Sequence, residues 1–362
     1  MPLRILTRKV LVVSVLVVGA TATVAPLPAQ ESSTSLRNAA RAIAVNAKTR
    51  KAYAVSESQD AIVVYDPGKK TTATIKVGKS PVALAINEAT NGIYVANNGS
   101  GSVSVIDGAN DALAANIDVG ALPYVLAVNP VANKIFVSNT FSDVITLIDG
   151  KTNATTTIKA GSADSIVVDA QRDRAYLVGW ESTNLTVLDS KPSVVAKIPL
   201  HGMHVWGTLA DQATGRVFAT KAGSAELLVV EEGSTKVRAI PTGAIPCAVA
   251  LNPATGLVYV VNHGEDTVTT IDGANQRVVA TIHVGKSPQG IVIDSKTNRI
   301  YVANVHGHSV TMIDGARNVA TKTFHVGKNP YALAVDQVSG RLYAALEGET
   351  SFAAIDPSVP AD

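Results

Sequence analysis

Beyond residue 41 the chain is a succession of short apolar runs with polar punctuation, as in "PVALAINEATNGIYVANNGSGSVSVIDGAN" at 81–110. The runs are rich in Val, Ile and Ala, too short for amphipathic helices, and bounded by Gly, Pro, Asn and Asp, a pattern that predicts strands. Strand A reads "VALAIN", strand B "GIYVAN", strand C "SVSVID" and strand D "ATIKVG". The Asn that ends strand A can accept a hydrogen bond from the backbone two residues on and start the A–B turn. The Asp-Gly after strand C suits a tight hairpin into strand D. Strands A, B and C are apolar on both faces, so each small sheet is expected to pack against a neighbour on either side.

The aromatic of strand B recurs as Tyr53, Tyr94, Phe136, Tyr176, Phe218, Tyr259, Tyr301 and Tyr343, at intervals of 41, 42, 40, 42, 41, 42 and 42 residues. The chain holds only 2 Trp, 9 Tyr and 5 Phe, so eight of them at one repeat position mark a requirement of the fold. An acidic residue stands thirteen positions after each: Asp66, Asp107, Asp149, Asp189, Glu231, Asp272, Asp314 and Asp356. An Asn or Asp marker stands seven positions before each: Asn46, Asn87, Asn129, Asp169, Asp211, Asn252, Asp294 and Asp336. Four strands in a period of 40–42 residues predict an all-β chain forming a single β-propeller of four-stranded antiparallel blades.

The repeats run over about 41–81, 82–123, 124–164, 165–204, 205–246, 247–288, 289–330 and 331–358. Eight copies of strands A to C are visible but only seven of strand D. Aligning Ile43 with Leu84 sets Thr34–Leu36 opposite Ile75–Val77, so an N-terminal strand is expected to complete the last blade and remove the open edges. Eight blades follow; seven with a spare segment is the alternative.

Composition adds little to the fold and more to the setting. With 46% hydrophobic but 4% aromatic residues, the core is built from Val, Ile, Ala and Leu. A single cysteine, Cys247, excludes a disulfide framework within the chain. The N-terminus carries Arg4, Arg8 and Lys9, an apolar run Val10–Val18, then small residues and prolines. This is the layout of a secretory signal peptide over residues 1–29, cleaved after Ala22 or Ala29, with the propeller domain over 30–362. The run is shorter than the roughly 20 residues of a membrane span, and no later segment qualifies. The chain is thus expected to be exported, to a periplasm or an extracellular or cell surface, with an uncleaved anchor as the alternative. Without those three basic residues, 28 Lys and Arg face 29 Asp and Glu. A near-neutral surface makes nucleic acid an unfavoured partner.

The words "IYVANNGSGSVSVIDGAN", "VYVVNHGEDTVTTIDGAN" and "IYVANVHGHSVTMIDGA", with "VGKSP" at 77–81 and 284–288, resemble the YVTN β-propeller repeat family over residues 41–358. WD40 and kelch repeats fit less well, since their signature dipeptides are absent at the repeat positions. The resemblance implies export, to bacterial or archaeal surfaces or the periplasm. It also implies kinship in fold with the propellers of quinoprotein amine dehydrogenases, nitrous oxide reductase and lactonases, and it includes at least one periplasmic DNA binder. These span several functions, so function must be sought in the site.

A site is expected where the repeat breaks. In a propeller the D–A joints and B–C loops share the face around the channel mouth. Blade four has "VGWESTN" where blade two has "VANNGSGS", and the joint to blade five reads "LHGMHVWG" in place of "VGKSPVAL". Both tryptophans, Trp180 and Trp206, fall there, with Glu181, His201 and His204; His204 reads as the replacement of the joint proline. These five residues are the candidate ligand patch, against the alternative that a worn repeat filled its gaps with bulky side chains. "NHGED" and "NVHGHS" set His263, His306 and His308 in neighbouring B–C loops, a candidate site for a transition metal such as zinc or copper, with Glu265 or Asp266 as an oxygen donor. The competing reading is a solvated or packing role.

Other chemistry is thin. No G-x-S-x-G, P-loop or dinucleotide fingerprint has a fitting strand–helix context. Cys247, after Pro246 at the start of an inner strand, reads as a buried small residue rather than a nucleophile. Lys79, Lys286 and Lys328 recur in the joints and promise mild attraction for anions. The expected function is an exported binding or scaffold protein whose mouth face holds a small molecule, polymer or protein partner. The alternatives are a propeller enzyme of lactonase, lyase or dehydrogenase type, and a single-stranded DNA-binding protein using the Trp rings.

Overall fold

Residues 43–346 and 352–358 are described in a computed structural model of the protein. They form eight antiparallel sheets taken in chain order, seven of four strands and an eighth of three. The innermost strands are Ile43–Val45, Pro81–Asn87, Pro123–Asn129, Ser165–Asp169, Val205–Ala210, Pro246–Asn252, Pro288–Asp294 and Pro330–Val335. Each touches the next around the ring, and the first touches the eighth, so the propeller is closed. The strand expected from Thr34–Leu36 and the leader at 1–29 lie outside the described residues. Among the described residues the one helical segment is a short 3-10 turn, Glu57–Gln59, and no helix is long and apolar enough to cross a membrane.

The strand B aromatics do what their regularity predicted. Tyr53 packs with Leu84, Ile93 and Val95 of blade two, and Tyr343 of the last blade with Ile43, Ala52 and Val63 of the first. Phe136 likewise meets Ile166 and Ala175 of blade four. Each such buried ring stabilises an interblade seam by about 1.5–3 kcal/mol.

The Asn/Asp markers close the A–B turns in all eight blades. The N–H two residues beyond each marker donates to its Oδ1 at 2.9–3.1 Å. The structure adds a second role. Asn46, Asn87, Asn129 and Asn252 each donate Nδ2 to the Oδ1 of Asn91, Asn133, Asp173 and Asn298 in the following blade, at 2.7–2.9 Å. Those acceptors end the next A–B turn in the left-handed region, with φ of 64, 52, 53 and 53°. Where that turn ends in Gly215, Gly256 or Gly340, no side-chain acceptor exists, and the marker before it is Asp169, Asp211 or Asp294. The carboxylate then receives Arg172, Thr214 or Thr297 from its own turn.

Other side chains span these glycine joints. Gln212 accepts from the Ala170 N–H and donates to the Val168 carbonyl; Gln337 does the same for Ser295 and Ile293. Arg216 donates to the Gly273 carbonyl between blades five and six. The last joint is ionic: Arg50 donates Nε and Nη2 to Asp336 Oδ2 at 3.0 and 2.8 Å. A belt of polar contacts thus runs round the face opposite the mouth.

Candidate functional site

At the mouth, the innermost strands carry β-bulges. The ladder to strand B skips Val82, Tyr124, Cys247, Gln289 and Tyr331 in blades two, three, six, seven and eight. In blade five it skips Trp206 with Gly207. A bulge frees its side chain from the ladder, which is why this position varies while its neighbours repeat.

In blades two and six the first residue of the B–C loop reaches toward the next blade. Asn98 donates Nδ2 to the Pro123 carbonyl at 3.0 Å, and His263 Nδ1 lies 3.2 Å from the Pro288 carbonyl. In blade four this residue is Trp180. Its carbonyl accepts the His204 N–H at 2.7 Å, and its own N–H donates to Asp164 Oδ2 at 2.7 Å. Its indole lies 4.8 Å from the His204 ring at 42°, and 5.4 Å from Trp206 edge-on at 75°. Three rings from two blades therefore form one half-buried aromatic corner, with exposed Met203 beside it. Trp206 packs its inner flank on the blade-six core near Cys247, and its buried Nε1 has no hydrogen-bond partner among the described residues.

The register corrects one assignment. Val205 pairs with Lys221 as Pro81 pairs with Asn97, so Val205 holds the proline's place. His204 stands one residue earlier, at φ 69°, where Ser80, Leu122, Ile245, Ser287 and Asn329 also adopt left-handed backbone. Two of the five patch residues stand apart. Glu181 is exposed and lines, with Ser182 and Lys197, a separate cleft of about 220 Å³ between blades three and four. His201 is exposed, and it is its backbone carbonyl that accepts the Lys221 ammonium at 3.1 Å.

The three-histidine set is not assembled. His306 Nδ1 lies 2.8 Å from Ser287 Oγ in its own blade's joint, whereas His308 Nδ1 accepts the Asn329 N–H of the next at 3.2 Å. His308 has left-handed backbone, φ 48°, and the two imidazoles face different joints. His263 is held at Pro288, and among the described residues no group of three or more His, Cys, Asp or Glu side chains lies close enough to hold a metal ion. Asp266 is engaged as well, accepting Lys286 Nζ at 2.5 Å and the Ser287 N–H at 2.8 Å. Partial burial opposes its ionisation, but those hydrogen bonds prevail and hold its carboxyl below the ordinary value.

Cys247 is buried, and burial pushes its thiol up to about 12. Its Sγ lies 3.6–3.7 Å from the Val261, Pro288 and Gln289 carbonyls. Of the joint lysines, Lys79, Lys286 and Lys328 are exposed, and Lys286 is already paired to Asp266. One departure escapes the sequence reading. Phe141 in "NTFSDV" occupies the loop position of Gly99, Glu181 and Gly264 and is 75% exposed. The signal was the same as for Trp180, a bulky residue where regular units carry Gly.

Residues 72–251 match the YNCE-like beta-propeller family. No curated protein matches the chain. Among solved structures, the chain is similar to the dihydro-heme d1 dehydrogenase NirN in complex with DHE, with 14% identity and a TM-score of 0.67 over 80% of this chain and 67% of that one. It is also similar to hydrazine synthase of Kuenenia stuttgartiensis, with 16% identity and a TM-score of 0.61 over 90% of this chain and 98% of that one. At these identities the likeness is one of fold.

Proposed function

The chain is a β-propeller repeat protein, and on that premise we propose that it is an exported binding protein holding a planar conjugated ligand at its channel mouth. The observation that carries this reading is the contact of Trp180 with both His204 and Trp206, at 4.8 and 5.4 Å, across the seam of blades four and five. Indole faces stack on flat π-systems, and an imidazole beside them adds a polar group that orients the ligand. The cost of setting bulky rings on an otherwise regular mouth is accounted for if they serve a ligand. Export is proposed on the basic and apolar leader alone.

Both tryptophans of the chain are in contact, so its intrinsic tryptophan emission arises from this corner, and the Trp180→Ala variant tells binding there from quenching at a distance. Hemin is the first probe, because one structural neighbour is a dihydro-heme d1 dehydrogenase. A poly-dT oligonucleotide is the second, because bases also stack on such rings. Saturable quenching by hemin, weakened at least tenfold in Trp180→Ala, is the expected result. A tenfold loss corresponds to about 1.4 kcal/mol. Quenching by the oligonucleotide alone would favour the nucleic-acid reading, and no quenching by either would remove the proposed function.

A further inference from the structure

A second cleft, of about 630 Å³, opens between blades two and three on the same face as the aromatic corner. Its volume lies within the roughly 300–1,000 Å³ of small-ligand sites. One wall is the end of blade two's outer strand and the following joint, Asp118 to Ala121. The other is blade three's B–C loop and outer strands, from which Phe141 projects with 75% of its surface exposed. Phe141 has φ 63°, a left-handed backbone that bulky residues avoid and that strain-bearing functional loops retain.

The remaining lining is hydroxyl and carboxylate. Thr155 and Thr157 sit two residues apart on an outer strand, hence on one face, and both are exposed. Thr140 and Ser142 flank Phe141 in the loop. Asp118 and Asp143 are exposed on opposite walls, with Lys159 lying 3.3 Å from Asp143. The site thus combines one flat apolar plate, a border of groups that both donate and accept, and two carboxylate acceptors.

We propose that this cleft binds a glycan of equatorially substituted pyranose units, with one sugar ring stacked on Phe141. In such a sugar the axial C–H bonds give each ring face an apolar surface, while the hydroxyls radiate from its edge. That division matches the exposed Phe141 ring bordered by Thr and Ser hydroxyls and carboxylates. An organic cation is less well suited. It calls for several aromatic faces, and Lys159 already offsets one of the two carboxylates. The corresponding cleft between blades three and four has Glu181 where this one has Phe141, and Lys197 where this one has Thr157, so the fold itself supplies a version lacking the aromatic plate.

The test is calorimetric titration of the mature chain with cellotetraose and with chitotetraose, repeated on Phe141→Ala, Phe141→Tyr and Trp180→Ala. Because Phe141 is exposed, Phe141→Ala is expected to melt as the wild type does. At least one tetrasaccharide should bind; Phe141→Ala should weaken it at least tenfold, while Phe141→Tyr and Trp180→Ala retain it. Binding of neither sugar, equal binding by Phe141→Ala, or displacement of the sugars by tetramethylammonium would each overturn the proposal. Since Trp180 belongs to the other site, its variant separates a failure here from a failure of the aromatic corner.

Discussion

Cys247 illustrates how a residue's place sets its chemistry. It stands at a bulge next to a mouth rich in side chains, yet its sulfur faces three backbone carbonyls of its own and the next blade. With its thiol pushed up to about 12 by burial, almost no thiolate forms at neutral pH. Iodoacetamide at pH 8 should therefore leave the native protein unmodified, and label it fully once guanidinium unfolds it. Ready alkylation of the folded chain, followed by mass spectrometry, would show that the mouth opens more than the packing allows. His306 and His308 teach a related lesson: they are two apart in sequence, yet their imidazoles engage the joints of different blades.

At the scale of the blade, the marker and the turn end of the following blade behave as a matched pair. Asn faces Asn or Asp, and Asp faces Gly or, at the closing joint, Arg50. The reason is that a buried amide N–H needs an acceptor, whereas a carboxylate needs donors. Asn87→Asp should set two oxygens against each other at Asn133 and cost about 1–3 kcal/mol. Asn133→Gly should also destabilise, by removing the acceptor. The double variant restores a combination the chain already uses, so its loss should be smaller than the sum of the two. Urea denaturation of the four proteins measures this, and strict additivity would mean the pairing rule carries no energy. The rule was readable from the sequence, since every residue in it lies at a fixed repeat position. It shows only when each blade is set against the next, because the two partners belong to successive blades.

For the whole molecule, the decisive contact is Arg50 with Asp336, which joins the last blade to the first. Asp336 is 2% exposed; burial disfavours its charge, but Ser339, the Val338 N–H and Arg50 outweigh this and lower its carboxyl. A lowered carboxyl contributes stability that is fully present above its unfolded value, about 4, and is lost as pH falls through the folded value. Asp336→Asn should therefore melt below the wild type at pH 7, with the gap narrowing beneath about pH 4 in a calorimetric series. Arg50→Ala should cost about 1.5–3 kcal/mol at neutral pH, the worth of hydrogen bonds to a charged group. The proposed leader has its own check. N-terminal sequencing of protein recovered from an exporting host should begin at Thr23 or Gln30. An intact Met1 would exclude cleavage.

Period, blade count and turn chemistry were set by the sequence alone. They rest on contacts repeated eight times, so each residue type at a repeat position carries a physical demand that periodicity exposes: a ring between sheets, an amide in a turn. The candidate sites depend on contacts made once, across a seam or a loop, and no period reports those. Only the tertiary structure decided that Trp180 meets His204 and Trp206 while Glu181 turns to another cleft. Only it showed that His263, His306 and His308 stay with their separate joints, and that Phe141 lines a cleft walled by the preceding blade. The physical reason is that a loop side chain's direction follows from one backbone angle and the neighbouring blade's register, and both are fixed only when the ring closes.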